Sequence, residues 1–328
     1  MLPMTFAGRA ALLLCLLGLL LFPLVGERFY VQLLTKIMIL GIFAMSLDLL
    51  IGFTGLVSLG HAAFFGIGAY TLVMLSPKYD AVSLWTSLPA ALALAALAAL
   101  AIGVFVLRTS GVYFIMATLA FAQMIYSVAA DSNLLGGSDG LYIYSKPDAA
   151  ILGWRPFDLE KLLQLYYVVL GALVLVAVLL AVMLRSLFGR VIIGIRANEH
   201  RMRSLGFPVF RYKLASFVIA GALAGLAGYL RAAQVGAAQP ELLGWHNSGD
   251  VLIMVILGGM GTLLGPVLGA FALVVLQELF SGWTKHWLLL QGGFIILAVL
   301  LFPEGLVGAF ARLGRRRPPD PAKRPAHA

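Results

Sequence analysis

A helix that crosses about 30 Å of hydrocarbon needs about 20 apolar residues, and this sequence supplies runs of that kind along most of its length. Candidate spans lie near 10–26, 30–51, 56–76, 86–107, 111–130, 165–184, 214–234, 249–280 and 287–303. Composition closes off the soluble alternative: 62% of residues are hydrophobic and 11% charged, and the mean hydropathy is +1.00. A soluble domain carries about 25% charged residues and could not hide so much apolar surface. The chain is therefore expected to be all-α, a polytopic bundle of membrane helices in which lipid is the solvent for much of the surface. The single cysteine, Cys15, has no intrachain partner and carries no information about redox compartment. The first apolar run has one preceding basic residue, Arg9, and no clear small-x-small cleavage site, so it reads as a retained span rather than a cleaved signal.

Charge orients the spans. The net charge is +9, but the basic residues gather in two stretches, Arg185 to Lys213 and Arg312 to Arg324. Polybasic flanks of membrane spans report topology rather than a nucleic-acid ligand, and they mark both stretches as cytoplasmic. The long polar loop at 131–164 mixes Asp131, Asp139, Asp148, Asp158 and Glu160 with three basic residues and is assigned to the opposite side. Parity then tests the count. If 249–280 were one helix, the basic tail would emerge on the wrong side. Gly258, Gly259, Gly261, Gly265 and Pro266 interrupt that run, and glycine and proline permit a break. The reading is thus about ten membrane segments, some short or broken, with both termini cytoplasmic. Residues 1–310 form the membrane domain, and 311–328 a basic, disordered cytoplasmic tail. A loose echo between Gly55–Gly60 and Gly261–Gly265 raises a two-repeat architecture, of the sort on which many transporters are built.

Three segments carry candidate mechanism. The first, DLLIGFTGLVSLGHAAFFGIGAY at 48–70, is rich in small residues that let backbones approach in a membrane. It also holds Thr54, Ser58 and His61. The functional reading is a discontinuous helix lining a translocation pathway, for which these polar groups at membrane depth are candidates together with Gln123, and the alternative is a tight helix seam whose polar groups are satisfied. His61 has no His, Cys or carboxylate at ligand spacing, so no metal site is expected. Asp48, near the end of a span, reads as hydrated or capping. Arg231, Gln234, Gln277 and Glu278 could face a pathway or an interface. The second segment is the basic loop at 185–213. Phe188, Ile192 and Ile195 form one apolar helical face, 197–205 is charged and helix-compatible, and Gly206 with Pro208 ends it. Such a helix suits either a protein partner or anionic lipid. The third is Gly136-Gly137-Ser138-Asp139-Gly140, a flexible turn on the outer side. No phosphate-binding G-x-x-x-x-G-K-[ST] loop and no catalytic set stands out, so any ATPase must be supplied by other chains.

The segment at 48–70, GGSDGL at 136–141, FGRVIIGIRANEHRMRSLGFPVFRYKLASFVIAGALAGLAGYL at 188–230 and GDVLIMVILGGMGTLLGPVLGAF at 249–271 together resemble the LivM type of permease from bacterial branched-chain amino acid ABC importers. The resemblance implies a multi-pass protein of the bacterial inner membrane. It implies a second, LivH-like permease, two cytoplasmic LivG- and LivF-like ATPases that bind ATP and Mg, and a periplasmic substrate-binding protein. This chain would bind no cofactor of its own. The coupling-loop candidates are Gly189, Arg190, Arg196, Glu199, Arg203 and Gly206. Glu199 and Gly206 match the acidic residue and glycine of the family's ATPase-docking motif, while His200 to Arg203 depart from the alanines often found there. Ser138 and Asp139 would lie on the binding-protein side. The implied activity is movement of branched-chain or related small amino acids by alternating access. A urea or short-amide importer, an ion-coupled secondary transporter and, more remotely, a membrane enzyme are the competing expectations.

Overall fold

The computed structural model describes residues 6–77, 80–150, 157–301 and 305–308; the basic tail at 311–328 lies outside these described residues. Among the described residues, six helices are long and apolar enough to cross a membrane: Arg28–Thr54, Leu84–Val106, Val112–Asp131, Leu162–Arg185, Val209–Val235 and Gly265–Trp283. Shorter apolar helices stand beside them, among them His61–Leu75 and Trp287–Leu301. The chain is thus a polytopic helical membrane protein. In order, α1 is Phe6–Val25, α2 Arg28–Asp48, α3 His61–Leu75, α4 Leu84–Val106, α5 Val112–Asp131 and α6 Leu162–Arg185. Then follow α7 Leu187–Ala197, α8 Glu199–Ser204, α9 Val209–Val235, α10 Trp245–Gly258, α11 Gly265–Trp283 and α12 Trp287–Leu301. The only strands among the described residues, β1 Leu141–Tyr142 and β2 Ala237–Ala238, pair antiparallel and tie the long polar loop to the end of α9.

Helix α2 is the axis of the bundle, 94% buried over its most apolar window, whereas the corresponding share is 33% or less in α4, α5, α6 and α11. The outer helices keep large apolar side chains exposed, such as Leu97, Met116, Leu175 and Leu289, as surfaces that meet lipid or another membrane chain must. Helix α9 packs closely on α3 and α4 because its contact face has almost no side chains. Ala91, Ala95 and Ala99 of α4 are fully buried. A Cβ on Gly221 or Gly225 of α9 would overlap the Cβ of Ala99 or Ala95, and one on Gly68 or Gly228 would overlap the backbone carbonyl of Gly225 or Phe65. Small residues at such a seam let dispersion act over a large area in place of a hydrophobic drive. Ser87 and Tyr229 add a buried hydroxyl pair between α4 and α9 at 2.7 Å.

Two apolar runs differ from simple spans. The run at 249–280 divides into α10 and α11, and the turn between them carries Gly259 at φ 117° and Gly261 at φ 76°, backbone that side-chain-bearing residues rarely adopt. The run at 56–76 becomes helical only at His61. Helix α2 continues into a π-helical turn, Leu49–Thr54, ends at left-handed Gly55, and leaves the chain irregular as far as Gly60, with Leu56, Ser58 and Gly60 buried in the bundle. A Cβ on Gly60 would overlap the Thr118 carbonyl of α5, so this stretch is held by close packing rather than by helix bonds. The charged stretch at 197–205 also departs from one continuous helix. Asn198 breaks it, and its side-chain oxygen accepts from Arg201 N at 2.9 Å to start α8.

Candidate functional site

The basic segment folds as two short helices laid across one end of the bundle. Val191, Ile192 and Ile195 of α7 are buried, so its apolar face seats against the membrane helices while Arg190 is exposed. Gly189 makes the corner from α6 possible, because a Cβ there would overlap the Leu184 backbone. Helix α8 is pinned by Glu199, whose two carboxylate oxygens accept from Arg203 Nη2 at 2.9 Å and Lys213 Nζ at 2.6 Å. The bond to Lys213 crosses from α8 to α9, and Gly206, at φ 84°, turns the chain between them. Glu199 therefore holds the segment together from within.

Arg196, the last basic residue of α7, reaches the broken part of the membrane domain. Its Nη1 donates to the Gly52 carbonyl in the π-helical turn. Its side-chain stem lies under Gly55, where a Cβ would come within 3.2 Å of Arg196 Cγ. On the other flank, the Asp48 carboxylate accepts from Gly261 N at 2.9 Å. A Cβ on Gly261 would stand 3.0 Å from Arg196 Nη1. Asp48 is 1% exposed. The expectation of a hydrated carboxylate at the span end is corrected here: the bond to Gly261 and the packing of α2 enclose it. One arginine and one aspartate thus lace together α7, the π turn and the glycine turn between α10 and α11. The two echoing glycine segments meet at Arg196, against which both Gly55 and Gly261 lie.

The starts of the two shortened helices also meet. Ala62 N, in the first turn of α3, donates to Ser248 Oγ, in the first turn of α10, at 2.9 Å, and both residues are fully buried. His61 packs between Phe43, stacked at 5.5 Å, and Phe64. Ser46 Oγ donates to the Phe43 carbonyl at 2.6 Å and lies 2.8 Å from His61 Nε2. One ring nitrogen of His61 thus meets Ser46, while Nδ1 has no hydrogen-bond partner among the described residues. Thr54 and Ser58 are likewise buried, bonding the Leu49 carbonyl and Gly60 N. Of the pathway candidates, Thr54, Ser58 and His61 therefore share the broken element inside the bundle, and Gln123 stands apart, exposed on α5. No group of three potential metal-binding side chains occurs among the described residues. At the opposite end, Ser138 and Asp139 are exposed on a tight turn whose Gly136, Gly137 and Gly140 all take positive φ.

Reasoning from sequence found the basic segment and the glycine breaks, but it missed that Asp48, Gly52, Arg196 and Gly261 form one cluster. Positions 48 and 261 are too far apart in the chain for any periodicity to join them.

The chain matches, over residues 29–300, the family described as branched-chain amino acid transport system, permease component. It is 34% identical to the high-affinity branched-chain amino acid transport system permease protein LivM of Escherichia coli K12, covering 87% of this chain and 71% of that one. Identity to LivM of Salmonella typhimurium is 33% over the same shares. A shorter likeness, 35% identity over 44% of each chain, links it to the autoinducer 2 import system permease protein LsrC of Klebsiella pneumoniae. No solved structure matches. A polytopic bundle with broken central helices, matched across nearly its whole length, identifies this chain as a member of the branched-chain amino acid transport permease family, a permease component that is not itself catalytic.

Proposed function

We propose that this chain is one of two permease subunits in an inner-membrane importer that moves branched-chain amino acids by alternating access, driven by two cytoplasmic ATPases that bind ATP and Mg. A periplasmic binding protein would deliver the solute at the end that carries Ser138 and Asp139. The ATPases would dock on α7 and α8, whose exposed Arg190, Arg201 and Arg203 the positive-inside rule assigns to the cytoplasm. Ten membrane segments, α1 to α6 and α9 to α12, then leave both termini on that side. The return of the chain supports this count: Gly305 packs against Gly259, at the same end as the basic segment. A two-repeat plan is supported by the order long helix, short helix, long helix, which occurs as α2, α3, α4 and again as α9, α10, α11.

The observation that carries the proposal is the Arg196 lattice. A docking partner that displaces α7 also displaces the Gly52 carbonyl and, through Asp48 and Gly261, the turn between α10 and α11. These are the places where helical bonding is already interrupted, and a π-helical turn of this kind is a recurrent feature of functional sites. Thr54, Ser58 and His61 are on the stretch that would move, so their polar groups become available to solute when 55–60 shifts. The bias must come from a difference in ATPase affinity for the two arrangements, because equal binding shifts nothing. Reconstitution of the full assembly in proteoliposomes tests this. Arg196→Ala should lower ATP-driven leucine uptake at least about tenfold, the effect of about 1.4 kcal/mol, while ATP hydrolysis persists. Unchanged uptake in that variant, or uptake by the permease chain alone on an ion gradient, overturns the proposal.

A further inference from the structure

A cavity of about 410 Å³ opens where α2, α6, α9 and α11 converge with the long polar loop. Its size falls within the range of about 300–1,000 Å³ usual for small-molecule sites. Lys36 of α2, Arg231 of α9 and Lys146 of the loop line it, with Glu278 of α11 and Glu160 beside α6. Charges at this depth in a membrane bundle ordinarily pair or mark a ligand path. None of the three cations makes an ion pair with a carboxylate among the described residues. Lys36 lies within electrostatic reach of Arg231 on one side and of the carboxylates of Glu278 and Asp250 on the other. Arg231 is held in place by Gln234, whose Oε1 accepts from Nη1 at 2.8 Å and whose Nε2 donates to the Gln32 carbonyl at 2.9 Å. That commits one of the five guanidinium donors and leaves the rest to the cavity. Burial also pulls the Lys146 amine below its ordinary value, with Glu160 and Asp158 opposing, so the wall is partly desolvated.

The lining is polarised. Its three cations are half-buried, whereas Glu160 and Glu278 are exposed at the rim, and Leu33 and Leu165 supply an apolar flank. An anionic group would settle inward on Lys36 and Arg231, an ammonium would face the rim carboxylates, and an aliphatic part would lie along the leucines. We propose that this cavity is a zwitterion subsite at the loop end of the bundle, in which Lys36 and Arg231 take a carboxylate or phosphate and Glu160 and Glu278 an ammonium. Two ligands share that chemistry: a free aliphatic amino acid and a phosphatidylethanolamine headgroup. The site lies within a single permease chain. It draws on the permease reading only for the choice of amino acid as probe, and binding is measured without transport, so a negative result leaves that reading untouched.

The probe is Gln32, whose exposed side chain lines the cavity. The Cys15→Ser, Gln32→Cys chain is placed in nanodiscs of phosphatidylcholine alone or with phosphatidylethanolamine. Its reaction with a small neutral methanethiosulfonate is followed by intact mass. In phosphatidylcholine, L-leucine should slow the reaction severalfold, whereas N-acetyl-leucine and leucinamide, each lacking one charge, should not. Arg231→Gln or Lys36→Gln should raise the half-protecting concentration at least about tenfold. Arg231→Lys should retain part of the protection. A control cysteine at position 139 in the same variants should react at an unchanged rate, which separates loss of the site from loss of the fold. Protection by phosphatidylethanolamine to which leucine adds nothing assigns the site to the lipid headgroup. The proposal is overturned if neither ligand protects, if the two blocked leucines protect as well as leucine, or if the glutamine variants protect fully.

Discussion

A Cβ on Gly228 would overlap the Phe65 carbonyl oxygen, whereas one on Gly171 would meet nothing within 4 Å. The two glycines therefore answer alanine in opposite senses. Gly228→Ala should push α3 from α9 and lower stability by about 1–3 kcal/mol, as overpacking of a tight interior does. Gly171→Ala, on the open face of α6, should be neutral or stabilise by up to about 1 kcal/mol through helix propensity. Thermal unfolding of the detergent-purified chain reads both, and equal responses would contradict the packing described for the α3–α9 seam. At the junction of the broken helices, Ser46 keeps its bond to the Phe43 carbonyl whether or not His61 is present. His61→Phe should thus leave the melting temperature within a few degrees, because the ring is already stacked among aromatics. If uptake falls while the fold holds, the polar imidazole is used in transport. The sequence made His61 legible as a polar group at membrane depth. It could not say that the ring would be enclosed, because enclosure depends on Phe43 and Ser46, which come from another helix.

Among the elements, α8 is held by few bonds and should be the easiest to loosen. Its helix is six residues long, and beyond the Asn198 cap its side-chain bonds are Glu199 to Arg203 and Glu199 to Lys213. The first pair is exposed and worth about 0.3–0.5 kcal/mol; the second is shielded on the lysine side, so together they contribute about 1 kcal/mol. Glu199→Gln should accelerate amide exchange over 199–206 by up to about tenfold and leave α9 unchanged. An unaltered exchange pattern would mean that the segment is held by its apolar contacts alone. The breaks at 259–264 and 55–60 were readable to different degrees. The first announces itself by glycine density and a proline. The second was legible as a discontinuous helix within 48–70 but not in its position, because the interruption is made by Gly55 in left-handed backbone and by the contact of Gly60 with α5, neither of which alters hydropathy. The division of 197–205 at Asn198 was equally hidden, since a helix-compatible composition does not reveal where a side chain will cap.

At the scale of the whole molecule, sidedness is the property on which partners depend. In a Cys15→Ser background, Asp139→Cys should react with an impermeant thiol reagent from the periplasmic face of sealed vesicles. His200→Cys should react only after the cytoplasmic face is opened. The reverse pattern would invert the topology and remove the coupling role of α7 and α8. The polytopic helical class was legible from hydropathy, and membership in the family from four separated segments, whereas the arrangement of helices around α2 was not, because lateral order in a membrane is set by contacts between distant pieces of chain. The glycine-and-alanine face between α9 and its neighbours has one further mechanical meaning. Where the backbones of α3, α4 and α9 touch with no side chain between them, there is almost no give, and the three should travel as one plank. A stroke of the kind proposed above would then be absorbed where helical bonding is interrupted, at 55–60 and 259–264, so stiffness and joints are written in different parts of the same glycine inventory.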